Sequence, residues 1–391
     1  MTLGAPPSLP DVQSIRGTEF PGVGDGIYLN AASVTPLPLR ARQAVARLND
    51  RRAEIHRLRD EDFHEPLEAS RLEIARLIGA SPEEIALGAN TTFGINLAVH
   101  CLPVPPGSRV VVSEGEFPAN VYPWMRMPDP AVELEIVPAR EGVPDEERIL
   151  ERMDRGDVSV LALSAVQFAS GYRADLGRLG RFCRERGIHF VVDGIQALGQ
   201  MPVDVEEACI DILASGGQKW LCGPFGAGFA YVRRELQPVL EPALIGWTGM
   251  KACEDFGHLV DYRFELHDDA RRFELGTPAF PDLAGLAASV GLLNEVGVEN
   301  IERHIQEVLA PLISWIEETP GVEPGSDLSP DRRSGILCVR LPDPGAVFER
   351  LKGAGVVCVL REGMVRISPH LYNTVGEMER VVDILAEGAS R

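Results

Sequence analysis

The sequence has no cysteine pair at disulfide-framework or metal-site spacing. Its seven cysteines, at 101, 183, 209, 222, 253, 338 and 358, are odd in number and scattered, with no C-x-x-C. That excludes a disulfide scaffold and the common zinc motifs, and it suits a reducing compartment. No apolar run approaches membrane-spanning length. The start, "MTLGAPPSLPDVQSIRG", lacks a basic segment followed by an apolar one, so no secretory leader is expected. Basic runs are missing too: Arg51-Arg52 and Arg271-Arg272 are isolated doublets in a chain of formal net charge -20. That field repels a phosphate backbone and argues against nucleic acid as a partner. Internal repeats and low-complexity tracts are absent. The expectation is a cytoplasmic protein with no metal, no membrane contact and a small-molecule ligand.

What is present is a globular composition, 45% hydrophobic and 25% charged over 391 residues, long enough for two or three domains. The first twenty residues, rich in Pro and Gly, read as an extended arm. From 21 to 260, short β-rich runs ("RVVVSE", "VELEIVP", "VSVLALS", "IHFVVD", "IDILAS", "AGFAYVR") alternate with helical stretches. That pattern predicts an α/β domain with a mostly parallel sheet covered on both faces. "SPEEIAL" reads as a short helix start with a Ser cap. From 261 to 391 the texture becomes α+β: one long helical stretch at 283–318, the strand-like "GILCVRL", "GVVCVLR" and "MVRISP", and a closing helix. This predicts a smaller C-terminal domain.

"SGGQKWLCGPFGAG" (215–228) sets Lys219 alone among glycines and apolar residues. Other polar or aromatic residues follow predicted strands or open helices in the same domain: Thr91 and Thr92, Phe117, Gln167 and Asp193. The steps from 91 to 117, from 167 to 193 and from 193 to 219 are each 26 residues, close to one strand–helix–strand crossover, and the remaining step, from 117 to 167, is 50. All can therefore lie at one carboxyl edge of a parallel sheet, where α/β folds bind ligands. A desolvated lysine has a lowered pKa and an amine free to form a Schiff base. A buried aspartate can keep a heteroaromatic nitrogen protonated, which makes the ring an electron sink. Thr91 and Thr92 at a helix start suit a phosphate. Phe117 could stack on a planar ring, and Gln167 or Gln196 could reach a ring hydroxyl. Each has a structural alternative: a turn cap for Asp193, a solvated Lys219, plain helix capping by the threonines, core packing for Phe117, surface amides for the glutamines. Together the set asks for a planar, phosphorylated nitrogen heterocycle bearing an aldehyde, and pyridoxal 5'-phosphate (PLP) has every part.

With "YLNAAS", "VVDGIQ", "SGGQKW", "RRFELGTP" and "MVRISPHLYNT", the chain resembles the class V aminotransferase superfamily of fold type I PLP enzymes. That group includes cysteine desulfurases, C–S lyases, kynureninases and isopenicillin N epimerase-like proteins. The resemblance implies a large domain with a seven-stranded, mostly parallel sheet plus a smaller α+β domain. It makes Lys219 the Schiff-base lysine and Asp193 the partner of the pyridinium. It sets Gln167 and Gln196 near the ring hydroxyl, Phe117 on the ring, and Thr92, Thr91 and Gln218 by the phosphate. Thr277, in the R-F-E-x-G-T-P match, would reach the phosphate of the partner subunit in a homodimer. Arg366, with Arg361 as a weaker candidate, would grip the substrate carboxylate, with Asn30 on the substrate side.

Two departures matter. Desulfurases carry a catalytic cysteine on a mobile loop just before the carboxylate-binding arginine, and "CVLREGMVRIS" leaves no room for that loop. The serine usually found three residues before the lysine is displaced: Gly216 stands there and Ser215 precedes it. The expected activity is β-elimination from an S-substituted cysteine or cysteine conjugate. The alternative is an aminotransferase or epimerase; a desulfurase or kynureninase-type hydrolase is less favoured. His56, His64 and Trp247 are further residues that could shape the pocket, though each also reads as structural or solvent-facing.

Overall fold

The structure, a computed structural model, describes residues 12–24, 26–260 and 262–389. The chain begins with α1 (Val12–Glu19), β1 (Ile27–Tyr28), α2 (Leu39–Ala53) and α3 (Glu61–Ile78). Next come β2 (Ile85–Gly88), α4 (Thr91–Cys101), β3 (Arg109–Ser113), β4 (Glu133–Val137), α5 (Glu146–Met153) and β5 (Val158–Ser164). They are followed by α6 (Leu176–Arg186), β6 (His189–Asp193), β7 (Ile212–Gly216) and β8 (Gly228–Val232). A long irregular stretch leads to α7 (Phe280–Val296) and α8 (Val298–Glu318). The chain ends with β9 (Glu323–Pro324), β10 (Leu337–Arg340), α9 (Pro344–Gly353), β11 (Val356–Val357), β12 (Val359–Arg361), β13 (Met364–Ile367) and α10 (Val375–Ala389).

Seven strands make one sheet in the order β2-β8-β7-β6-β5-β3-β4. Only β8 runs against its neighbours, so the carboxyl ends of the other six share one edge. Successive side chains of a strand point to opposite faces. Leu161, Leu163, Phe190, Val192 and Leu213 accordingly enter one core with α3, α6, α7 and α8. Val160, Ala162, Val191 and Ala214 enter a second core under α4. Strands buried on both faces must be apolar throughout, which is why β5, β6 and β7 read as continuous runs. Helix α4 lies against the sheet because Gly94 has no side chain: a Cβ there would come 2.6 Å from that of Ala214.

The C-terminal strands form an antiparallel sheet, β12-β13-β10-β9, while β11 pairs in parallel with β1. Asn30 bridges to Ser368. Helix α7, beyond residue 260, packs along α2 and α3.

Four local expectations are corrected. Residues 1–11 of the expected arm lie outside the described residues, but 12–19 are helical. Arg16 pins that helix through Tyr372 O (3.3 Å), Gly24 O (2.7 Å) and Glu377 (2.5 Å), and Ile15 and Phe20 are buried. "SPEEIAL" makes a single turn, closed by Ser81 N donating to Glu84 Oε2 at 2.9 Å, and then extends as β2 because β8 pairs with it. The long helix at 283–318 is two helices, broken at Gly297 with φ +85°. "GVVCVLR" is two strands serving different partners, β11 on β1 and β12 on β13.

Candidate active site

Asp193 is the last residue of β6 and is 2% exposed. Its carboxylate accepts the Ile195 N–H at 3.0 Å. Burial raises its pKa to about 6, opposed by that hydrogen bond and by the charge of Lys219. Lys219 lies in the turn after β7. Its carbonyl accepts the Cys222 N–H at 2.8 Å and the Thr35 hydroxyl at 2.5 Å. Burial lowers its amine to about 8, with Asp193 opposing and Arg366 and Arg361 adding to the shift. The glycines around Lys219 let backbone and helix meet: a Cβ on Gly217 or Gly223 would stand 2.7 or 2.8 Å from Leu286 Cδ1 of α7. Trp220, fully buried, donates its indole N–H to Gln196 Oε1 at 2.8 Å. The Trp220 carbonyl accepts from His370 Nε2 at 2.9 Å; His370 Nδ1 takes the Leu371 N–H, which leaves the ring proton on Nε2.

Phe117 follows β3 and is 41% exposed, edge-on to Phe168 at 5.2 Å between centroids. Lys219 Nζ is 5.5 Å from its ring centre. Gln167, three residues past β5, is buried and donates to Glu116 Oε1 at 2.7 Å. The sequence reading passed over Glu116. Its carboxylate also binds Asn120 Nδ2 and Ser164 N, both at 2.9 Å, and the Ser164 hydroxyl. Burial pushes Glu116 up to about 7 against those hydrogen bonds. Ser164, at the end of β5, pairs with Asp193 on β6 and donates to Glu116, which follows β3, so the two buried carboxyls flank the end of β5 from either side. The available signal was its place one residue before Phe117 at the same sheet edge, where a carboxylate must find donors. Gln196 differs from expectation: its amide bridges Ala32 O (3.1 Å) and Trp220 and so anchors the residue next to Lys219.

At the start of α4, Asn90 Oδ1 accepts the Phe93 N–H at 3.1 Å. The Thr91 hydroxyl is buried without a partner, and Thr92 is exposed. Thr92 and Thr277 line one cavity of about 1040 Å³ between α4 and residues 273–279. Gln218 is half-buried and folds back toward Gly216, whose absent Cβ would lie 2.5 Å from Gln218 Oε1. Ser215 is buried and hydrogen-bonds the Gly216 carbonyl.

Arg366, in β13, is 2% exposed. It donates to Phe168 O and Ser33 Oγ, both at 2.8 Å, while its Nε is buried without a partner. Burial lowers its pKa to about 10. Arg361 Nε and Asn30 Oδ1 are likewise buried and unpartnered. Cys222, Cys338 and Cys358 are pushed up by burial to about 12, 11 and 11 and stay protonated. His56 and His64 are exposed, and Trp247 is half-exposed against Phe256. Among the described residues there is no His, Cys, Asp or Glu cluster that could hold a metal, and no helix long and apolar enough to cross a membrane.

These residues fit PLP. Lys219 offers an amine of depressed pKa, Asp193 a buried carboxylate, and Thr91 an orphaned hydroxyl at a helix N-terminus where anions bind. Relatives agree. The chain is 31% identical to the uncharacterised aminotransferase YcbU of Bacillus subtilis, over 82% of this chain and 84% of that one. It is 30% identical to a probable cysteine desulfurase of Methanothermobacter thermautotrophicus, over 94% and 96%. The apo cysteine desulfurase of Thermococcus onnurineus superposes with a TM-score of 0.86 at 24% identity, covering 99% of each chain. The cystine C–S lyase C-DES, in complex with its product cysteine persulfide, gives 0.83 at 20%, covering 94% and 99%. The fold is therefore fold type I. The profile of the aminotransferase class-V family matches residues 27–381, so the chain belongs to that family and is a PLP-dependent enzyme.

Proposed function

We propose that the protein is a C–S lyase that eliminates the sulfur substituent of an S-substituted cysteine or cysteine conjugate. One observation carries this reading. The hairpin between Arg361 and Arg366 closes through Glu362 and Gly363, both at positive φ (+47° and +74°), and holds no cysteine. A desulfurase needs a thiolate there to take the sulfur, and the thiols at 222, 338 and 358 are buried and protonated. This supports a reaction in which sulfur leaves on its own substituent.

Bound PLP supplies an electron sink for the pair left at the substrate's α-carbon. Lys219 would hold the cofactor through its aldehyde carbon and, once released, would take the substrate's α-proton as general base. Asp193 would hold the proton on the ring nitrogen. Phe117 would cover the ring, Gln167, gripped by Glu116, would face its hydroxyl, and Gln196 fixes Trp220. Thr91, Thr92 and Gln218 would hold the phosphate. Arg366 grips the α-carboxylate, and Asn30 lies on the substrate side. The sum is R–S–CH2–CH(NH3+)–COO− plus water giving RSH, pyruvate and ammonium. No oxidant or reductant enters.

In this reading the chain has units at 21–260 and 261–391 and works as a homodimer, with Thr277 reaching the phosphate of the partner subunit. Exposed Leu244, Trp247, Phe256, Tyr262 and Phe264 support the dimer. Seven unpaired cysteines support a cytoplasmic location.

The likeness to an aminotransferase at 31% identity favours a second reading, transamination or epimerisation at the same α-carbon. The test is to give the PLP-loaded protein S-methylcysteine, cysteine and a cysteine sulfoxide and to quantify pyruvate and thiol. Pyruvate and thiol in equal amounts are expected from S-methylcysteine. No pyruvate, with the cofactor converted to its amine form by other amino acids, would make it an aminotransferase.

A further inference from the structure

We propose that Glu116 is a positioning residue for the cofactor's ring hydroxyl: it holds the amide of Gln167 nitrogen-first, so that an N–H meets that hydroxyl and weakens the hold of the Lys219–cofactor linkage on its proton. The inference rests on the reading above, in which Gln167 faces the hydroxyl.

Glu116 is out of keeping with its surroundings. It is 7% exposed and follows β3 through Gly115, which takes φ +83°. Its hydrogen-bond partners are all uncharged: Asn120 Nδ2 and Ser164 N, both at 2.9 Å, the Ser164 hydroxyl, and Gln167 Nε2 at 2.7 Å. Asp193, the other buried acid at this edge, acts on it by charge and disfavours its carboxylate. A buried acid without a cation lowers stability, and an uncharged side chain would avoid that cost. What a carboxylate adds is that it only accepts. The donors gathered here, four in all, fill its roughly four acceptor sites.

That property matters most at Gln167. The backbone of Gln167 is already fixed: its N–H donates to Tyr172 O at 2.9 Å, and its carbonyl accepts the Gly171 N–H at 2.8 Å. Only the side chain can turn, and an amide reverses freely unless a neighbour tells nitrogen from oxygen. Glu116 does so. Oxygen against its carboxylate would set two acceptors face to face, so nitrogen takes that place. Oε1 lies toward Gly115, 3.9 Å from where a Cβ would stand. Nε2 carries two hydrogens. Glu116 takes one, and the second has no acceptor among the described residues. That second N–H is the group offered to the ring oxygen.

The effect has a sign. The ring oxygen shares a proton with the nitrogen of the Lys219–cofactor linkage, and it carries more negative charge once that proton has gone. A donated N–H stabilises the charged oxygen and so favours loss of the proton. The charge of Glu116 acting directly on the linkage would do the reverse, because an anion favours the protonated, cationic form. Neutralising Glu116 therefore moves the equilibrium one way if it works through Gln167 and the other way if it works by charge.

The test is an absorbance titration of the PLP-loaded protein, whose linkage absorbs at different wavelengths with and without its proton. No turnover is needed. Gln167→Leu should raise the midpoint by about one pH unit, the size expected for one hydrogen bond to a charged oxygen. Glu116→Gln frees the amide to reverse and should raise the midpoint by about half a unit or more. Combined with Gln167→Leu, it should add nothing. If Gln167→Leu raises the midpoint but Glu116→Gln leaves it in place or lowers it, the proposal alone is overturned. An equal rise from Glu116→Gln with and without Gln167 would overturn it too. No change in Gln167→Leu would sink both the placement of Gln167 at the hydroxyl and the proposal. Should Glu116→Gln fail to hold PLP, Glu116→Asp keeps the charge and withdraws it from Gln167 by one methylene. The same direction of movement is expected there, and an unchanged midpoint would decide against Glu116.

Discussion

Lys219 has its ammonium form disfavoured by burial and by two arginines, while Asp193 favours it, and the balance leaves an amine of pKa about 8. Only the neutral amine attacks an aldehyde. The sign follows: loading of the apoprotein with PLP should speed up as pH rises and level off above about 8. An ordinary lysine would keep gaining past pH 10. Stopped-flow absorbance of PLP uptake across pH 6–10 measures this, and a rate still climbing at pH 10 would contradict the lowered pKa. Lys219→Ala should lose the absorbing, borohydride-reducible adduct after dialysis; an adduct on another lysine would displace the assignment. At the other end of the site, Arg366→Ala removes a charge-assisted grip worth about 1.5–3 kcal/mol. KM for an amino-acid substrate should rise by roughly 10- to 150-fold with a smaller change in kcat, because the α-carboxylate is held in both ground and transition states. An unchanged KM would move the carboxylate site elsewhere.

Elements decide how those residues are held, and here a single glycine is informative. Gly199 sits at φ +98°, and a Cβ there would lie 2.2 Å from Trp220 O, the carbonyl that also accepts from His370. Gly199→Ala therefore combines a disfavoured backbone with a backbone clash, costing about 1–3 kcal/mol. It should also disturb the residue beside Lys219. A lowered melting temperature together with weaker PLP retention is expected. A drop in melting temperature alone would separate the Trp220 anchor from the site. The same scale shows what the sequence discloses. β3, β5, β6 and β7 are legible because burial on both faces demands unbroken apolar runs. Their carboxyl ends carry Phe117, Gln167, Asp193 and Lys219 because the four strands run parallel; the steps from 167 to 193 and from 193 to 219 are 26 residues, while that from 117 to 167 is 50 because β4 intervenes. β2 was hidden behind a Ser-Pro-Glu-Glu turn that mimics a helix start. The break between α7 and α8 depends on the backbone angle of Gly297, which apolar periodicity passes over. Contacts such as Arg366 with Ser33, or Thr35 with Lys219, join residues far apart in the chain, and no local pattern announces them. Glu116 was missed for the same reason: its donors come from β5 and from the residues after it.

At the scale of the whole molecule, one chain leaves Leu244, Trp247, Phe256, Tyr262 and Phe264 exposed within a single segment. Exposed apolar side chains gathered in one segment are candidates for an interaction surface, and two copies related by a two-fold axis would cover each other's. Sedimentation should give twice 42.6 kDa, and Trp247→Asp should shift the protein toward one chain with loss of PLP. The role of Thr277 admits a sharper test, because within one chain it lines the same cavity as Thr92. Suppose Thr277 serves the partner subunit's cofactor. In a mixed dimer of one Lys219→Ala chain and one Thr277→Ala chain, the site that keeps Lys219 also receives the intact threonine, and that site should bind PLP with wild-type affinity. Suppose instead that Thr277 serves its own chain. The site with Lys219 then lacks its threonine, and the mixed dimer should bind PLP no better than the Thr277→Ala homodimer. Titrating PLP into differentially tagged, purified mixed dimers separates the two outcomes and assigns each cofactor site to one chain or to both.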